Sequence, residues 1–381
     1  MGVARGRGRP PHLATGDNGS VFRLTCLIGI CVCLWIGFSA AERGGDFNEF
    51  YSASKLAGSG HMYDWDRIQA LERRNGSITI PFGRLPVYGV LLKPLTLLSY
   101  KYARLVWLLV NVAALIGFAV LWPVRRPRST IMMLCWSCPA AVMLSMGQDT
   151  ALYLFLVTAG LRLLQSKRDF AAGVVFSLCA AKFHLALGIP IFLLARRKWG
   201  ALGGGIAGGL AQAAISFAAE GWGWPSSLMR LASISEFSPA PLRMLNLLGL
   251  THWIPHGLGV EAVLGLLALA AVWVISRRSP LTIGATAAVI GGLLVSHHSY
   301  VYDGVLLLPA CALVLRLPVT EAMRYWALLL CVPIPYLLLI QGHGVWFMAQ
   351  IAINGFGLCL LGLLAFHVLR GRRVHGLSGA L

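Results

Sequence analysis

The sequence predicts an all-α polytopic membrane protein, and three observations lead there. The 381 residues are 57% hydrophobic and only 12% charged, where soluble globular chains carry roughly 25% charged residues. The apolar residues gather in blocks of about 16 to 25, the length that crosses ~30 Å of hydrocarbon as helix. No block alternates with period two, which argues against a β-barrel. Each block must satisfy its own backbone polar groups inside lipid, and helices do this within one segment.

Taken in order, the predicted spans are 22–41, 104–122, 130–146, 150–165, 200–219, 258–276, 280–296, 301–317, 325–341 and 345–369, about ten in all. The stretch 170–195 is apolar but flanked by Lys167-Arg168 and Arg196-Arg197-Lys198. Both basic flanks belong in the cytoplasm. A single span cannot return to its starting side, so this stretch is expected to be a short helical hairpin. Its break falls near Lys182-Phe183-His184.

The net charge of +18 raises the question of a nucleic-acid partner, but its distribution argues against one. With the N-terminus inside, the cytoplasmic segments hold 19 basic and three acidic residues, a net of +16. The outer segments, with the span-edge residues Arg104, Glu261 and Asp303 counted to their side, hold 11 of each. This is the positive-inside pattern, and it sets both termini in the cytoplasm of a multi-pass cell-membrane protein. The charge reflects topology and anionic lipid contact.

The expected organisation is a basic, disordered tail over 1–20, one transmembrane domain over 21–370 and a cytoplasmic tail over 371–381. The first span lacks a small-residue cleavage site and reads as a retained anchor. Two outer loops, about 42–103 and 221–257, are long enough to hold structure. The first is punctuated by Pro81, Pro86 and Pro94, and the second carries Trp222, Trp224 and Trp253. Tryptophans at that density suit a headgroup-level surface. The nine cysteines lie in or near apolar spans and read as small buried residues; Cys135 and Cys138 form a CxxC without a second pair.

Ionisable residues at span ends are the candidates for chemistry, because charge in a membrane is costly. Three clusters converge on the outer face: Asp46 with Glu49, Gly147-Gln148-Asp149, and the run from Ser296 to Asp303. The topology was set by basic residues alone, yet all three land on one side. Each has a plainer reading. Asp46 can end the first helix, Asp149 can cap the next one, with Gln148 the better site residue of the two, and His297-His298 can be interfacial polar groups. Asp303 stands one turn into an apolar span, where an unpaired carboxylate costs several kcal/mol, so a network or functional role is expected. Lys182 either snorkels to cytoplasmic headgroups or holds a lipid phosphate as a point charge. His297, His298, Asp303 and Asp46 are metal-ligand types, but no HExxH-like register exists, and neither metal nor cofactor is expected. No Walker A loop, dinucleotide fingerprint or GxSxG elbow occurs in a suitable context.

At these clusters the chain resembles the polytopic glycosyltransferases of the GT-C class, and within them family 87, which includes polyprenyl-phosphate-mannose-dependent α-mannosyltransferases. The resemblance runs from about Ala41 to Ala365. It is carried by DFNEFYSASKLAGSGHMYD (46–64), PFGRLPVYGVLLKPLTLL (81–98), GQDTALYLFL (147–156), AAGVVFSLCAAKFHLALGIP (171–190) and SHHSYVYDGVLLLP (296–309). Their order and spacing together are more specific than any one of them. The chain departs from many relatives in reading Leu85-Pro86 where they read Pro-Pro.

The resemblance implies a GT-C-type bundle with a structured first outer loop. It also implies transfer of a hexose, mannose first, from a polyprenyl-phosphate donor to an extracytoplasmic glycolipid or glycan acceptor. Asp46 would be the general base, and Asn48, Tyr51, Gln148, Lys182, His297, His298, Tyr302 and Asp303 would bind substrate. The chemistry is self-consistent. A carboxylate near the acceptor hydroxyl removes its proton, and cationic or hydrogen-bonding groups stabilise the departing lipid phosphate. Lys55, Arg67, Arg84, His297 and His298 are candidates for the second task. A single in-line displacement inverts the anomeric centre. Two rivals remain. A transporter or flippase would use Lys182 and Asp303 but should show internal repeats, which are not evident. A membrane acyltransferase would not need an acidic motif directly after the first span.

Overall fold

The structure is a computed structural model that describes residues 18–40, 45–76, 79–123, 127–234, 240–317, 319–341 and 346–370. The expected C-terminal tail, and the N-terminal tail up to residue 17, lie outside the described residues; the first helix begins at Asn18. The elements are α-helices and short 3-10 turns, with no β-strand among the described residues.

Five helices are long and apolar enough to span: Gly19–Ser39, Tyr100–Leu121, Trp199–Glu220, Gly257–Arg278 and Trp346–Leu369. Only 17–44% of their apolar windows is buried inside the protein. Leu24, Trp35, Leu105, Ile116, Leu210, Leu266 and Leu267 therefore point outward, as a lipid-facing belt requires. This is a multi-pass membrane protein.

The count of about ten spans is not confirmed. Two predicted spans are bent pairs, Arg128–Cys135 with Cys138–Met146 at 60° and Glu321–Leu329 with Ile334–Ile340 at 51°. Counting each pair as one gives at most seven. Ser137 and Pro139 explain the first bend: Ser137 is extended and its hydroxyl caps a new helix at Ala140 N, while proline at the start of a helix cannot continue the preceding one. The other three, Thr150–Gln165, Leu281–Val295 and Val301–Val314, are helical but short. A helix of about 15 residues is only ~22 Å long. Residues 282–294 are all buried, so this helix is sheathed by protein and need not match the bilayer thickness.

The stretch 170–195 is a hairpin, as its basic flanks require. Helix Asp169–Ser177 runs into a 3-10 turn, Leu178–Lys182, and the chain returns as helix Gly188–Ala195. Lys198 Nζ meets Asp169 Oδ2 at 3.0 Å, which brings both ends of the stretch to one place. The tip climbs along Leu281–Val295. A Cβ on Gly188 would lie 1.9 Å from the Ala288 oxygen, and one on Gly292 would lie 2.1 Å from the Leu185 oxygen. Two bare backbones are needed for that approach, and it delivers Lys182 to the end of the bundle where residues 45–46, 147–150 and 296–303 meet.

The first long loop is structured at the same end. It holds helices Phe47–Leu56, Trp65–Arg74 and Pro86–Leu92 and a 3-10 turn Lys93–Leu97. Leu85 is extended, as a residue before proline prefers, and Pro86 opens its helix where the missing N–H costs nothing. The apolar run 81–98 packs on Trp199–Glu220, with Val87 N donating to Ser216 Oγ at 3.1 Å, while Leu91 and Leu97 stay exposed.

Candidate functional site

Two glycines let the site form. Gly147 has a left-handed φ of +73° and ends helix Cys138–Met146. A Cβ there would lie 2.6 Å from Phe47 Cβ. Gly45 has φ +57°, and a Cβ on it would lie 2.4 Å from the Met146 oxygen. The two turns therefore touch backbone to backbone. Trp107 Nε1 fixes the second turn through the Gly147 carbonyl oxygen at 2.7 Å. The residues that follow, Asp46 and Gln148, are consequently neighbours, and Gln148 Nε2 donates to Asp46 Oδ2 in a short hydrogen bond.

From Gln148 a chain of charge runs inward. Arg84 donates to Gln148 Oε1 at 3.4 Å and to Asp149 Oδ1 at 3.2 Å. Lys182 Nζ lies 3.3 Å from the same Asp149 oxygen and 2.7 Å from Asp303 Oδ1. Thr150 Oγ1 donates to Asp303 Oδ1 at 2.8 Å and receives Lys182 Nζ at 2.6 Å. Tyr300 N donates to Asp303 Oδ2 at 3.0 Å. Lys182 is 3% exposed and Asp303 1%, so this pair is shut off from solvent. Ions that deep cost several kcal/mol each unless paired and hydrogen-bonded, and here both conditions hold.

These contacts correct two of the plainer readings. Lys182 does not snorkel to the headgroups; its ammonium meets Asp303, Asp149 and Thr150. Asp149 occupies the first position before helix Thr150–Gln165, but its side chain makes no cap bond. It serves instead as the hub between Arg84 and Lys182.

Asp46 differs from the inner acids in being half-buried at the rim. Burial pushes its carboxyl up to about 6, against the Gln148 hydrogen bond and the nearby Lys182 and Arg84, which pull it down. Glu49, expected beside it, is buried and accepts from Gly83 N at 3.1 Å. Burial raises its pKa well above the usual range.

The remaining candidates divide. Tyr302 lies under Lys182 Nζ, 5.0 Å from the ring centroid; Tyr300 packs tilted against it at 5.7 Å and meets His298 edge-to-face at 4.9 Å. His298 also faces His184 at 5.9 Å. Its imidazole is pushed down to about 4, first by burial and further by Arg84 and Lys182, so it is a neutral hydrogen-bonding group at pH 7. His297 is exposed beside this row. Asn48 and Tyr51 lie apart from the ion chain. Asn48 donates to the Glu72 carbonyl at 3.1 Å and accepts from Asn75 at 2.6 Å. Tyr51 donates to the Leu98 carbonyl at 2.8 Å. Both tie the loop helices together.

Sequence reasoning did not single out Thr150 or His184, and treated Arg84 as one cation among several. Arg84 Nε is buried without a hydrogen-bond partner among the described residues. The signal for Arg84 was its place in the proline-framed run 81–98, and for Thr150 the polar residue right after Gln148-Asp149. No group of three His, Cys, Asp or Glu among the described residues is close enough to hold a metal ion.

A membrane bundle with a charged site at one end of its helices, capped by a folded loop, defines a class of multi-pass membrane enzyme. The profile of glycosyltransferase family 87 matches residues 86–297. The chain belongs to that family and is a glycosyltransferase, which sets aside the transporter and acyltransferase readings. The matched region includes Gln148, Asp149, Lys182 and His297, while Asp46, Arg84 and Asp303 lie outside it. Comparison with curated proteins and with solved structures returned no match.

Proposed function

We propose that this glycosyltransferase moves a hexose, with mannose as first choice, from a polyprenyl-phosphate donor to an extracytoplasmic glycolipid or glycan acceptor. The reaction is a single inverting displacement with Asp46 as general base. The observation that carries this reading is the contrast among the site's aspartates: Asp46 alone is half-buried at the rim, anchored by Gln148 and poised near pH 6. A base works best with a pKa near the working pH.

In the proposed step the acceptor hydroxyl gives its proton to Asp46 as its oxygen attacks the anomeric carbon. The bond from that carbon to the phosphate oxygen breaks, and polyprenyl phosphate leaves with the electron pair. The unpartnered Arg84 Nε and neutral His298 are suited to stabilise the charge that develops there. A β-linked donor would give an α product. Lys182, Asp149 and Asp303 would shape the site rather than touch the donor. The charge split of +16 inside against zero outside supports an outward-facing site in the cell membrane with both termini cytoplasmic. The test is an assay of purified Asp46→Asn protein in detergent with polyprenyl-phosphate-mannose and membrane acceptor. Near-normal turnover by that variant would remove Asp46 from the role.

A further inference from the structure

A cavity of about 460 Å³ opens between the first loop and the segment that follows helix Trp199–Glu220. Its size is within the range of small-molecule sites. Tyr63, Trp65 and Trp224 supply flat aromatic surface, and His61, Ser227 and Arg230 supply polar edges. The Tyr63 and Trp224 rings lie within 26° of parallel, 6.4 Å apart. Trp224 Nε1 is buried and has no partner among the described residues.

The cavity is built, not loose. Glu220 on its wall accepts from Gly58 N at 2.8 Å and Met62 N at 3.1 Å, clamping the loop to the end of the long helix. Asp64 is held by Arg67 at 3.1 Å and Arg230 by Ser227 at 2.9 Å. The wall carries two carboxylates, Asp64 and Glu220, against one guanidinium, so it is not a phosphate site. Tyr63 on its wall is tied to the residue that heads the ion chain: its OH donates to the Arg84 backbone carbonyl oxygen at 2.6 Å.

Aromatic planes with hydroxyl-matching edges suit a pyranose ring, which offers an apolar C–H face and a rim of hydroxyls. We propose that this cavity is a carbohydrate subsite, holding a sugar ring of the acceptor glycan away from the ring that is glycosylated. The proposal extends the transfer reaction above, but its binding test stands apart from catalysis.

Detergent-purified full-length protein is titrated with trisaccharides of mannose, glucose and galactose, and separately with inorganic phosphate, following tryptophan fluorescence. Saturable binding of at least one trisaccharide is expected, weakened about tenfold in Trp224→Ala, as loss of a stacking plane and a donor implies. Trp224→Phe, which keeps an aromatic plane but removes Nε1 and the pyrrole half of the indole, should weaken it about threefold, at the scale of one hydrogen bond. Asp46→Asn should bind as the parent does. With a long glycan acceptor in the transfer assay, Trp224→Ala should raise KM about tenfold with kcat nearly unchanged, the mark of lost uniform binding. Binding of phosphate alone, no trisaccharide binding, or binding unchanged in both Trp224 variants overturns the subsite. Loss of transfer in Asp46→Asn with binding retained separates this test from that of the base.

Discussion

Asp303 and Asp46 are both aspartates at the mouths of helices, joined through one chain of polar contacts, yet the fold treats them oppositely. Asp303 has both oxygens engaged, by Lys182, Thr150 and the Tyr300 amide, and is sealed from solvent. Asp46 is half-buried, and its ordinary carboxylate pKa is raised rather than lowered. The inner acid is locked into the ion chain; burial holds the rim acid's carboxyl above the usual carboxylate range. Residue type alone does not distinguish these uses, but saturation of hydrogen bonds does.

The largest expected effect tests the rim. Asp46→Asn keeps the shape of the side chain and removes the base, so turnover should fall ~10²- to 10⁴-fold with an unchanged thermal midpoint in detergent. A comparable fall in thermal midpoint would make Asp46 structural, like Asp303. The inner region should respond in the opposite sense. Lys182→Met leaves Asp303 a buried, uncompensated charge, a loss of ~3–5 kcal/mol in stability. Lys182→Met combined with Asp303→Leu should recover much of it, because replacing a buried ion pair with apolar groups is often neutral. Thermal unfolding of the single and double variants checks this, and a double variant no better than the single would break the assignment.

A smaller effect sharpens the rim further. Below pH 6 Asp46 is protonated and cannot accept a proton, so kcat/KM should drop about tenfold per pH unit on the acid side and level off above about 6. A profile flat down to pH 5 would contradict the raised pKa. The smallest effect is at the contact between the turns. Gly147→Ala places a Cβ at positive φ and against Phe47, and should cost ~1–2 kcal/mol of stability. It should also lower transfer by pulling Gln148 away from Asp46. The paired measurement is the thermal midpoint and the transfer rate on one preparation.

Much of this was legible in the sequence, and the reasons are physical. The hairpin followed from Lys167-Arg168 and Arg196-Arg197-Lys198, because positive flanks cannot lie across a membrane from each other when both belong inside. The break at Lys182 followed from the same constraint. The convergence of the turns at Asp46, Gln148 and Asp303 followed from counting spans between them. The partners of Asn48 and Tyr51, Glu72 with Asn75 and Leu98, were not legible because they lie 24 to 47 residues away. Arg84 stood out only when Asp149, 65 residues further on, was seen to bind it.

The sequence by itself determined the membrane class, the position of the apolar helices, the hairpin and the turns that carry the acids. These are properties of short segments: apolar length, flanking charge and the glycines and prolines that end helices. Tertiary structure alone decided which helices are sheathed rather than lipid-facing, and so how many are full spans. It also decided which carboxylates are saturated and which one is left at the rim. Those outcomes depend on pairings such as Lys182 with Asp303, 121 residues apart, and in a medium that penalises every unpaired charge such pairings are fixed only when the whole bundle closes.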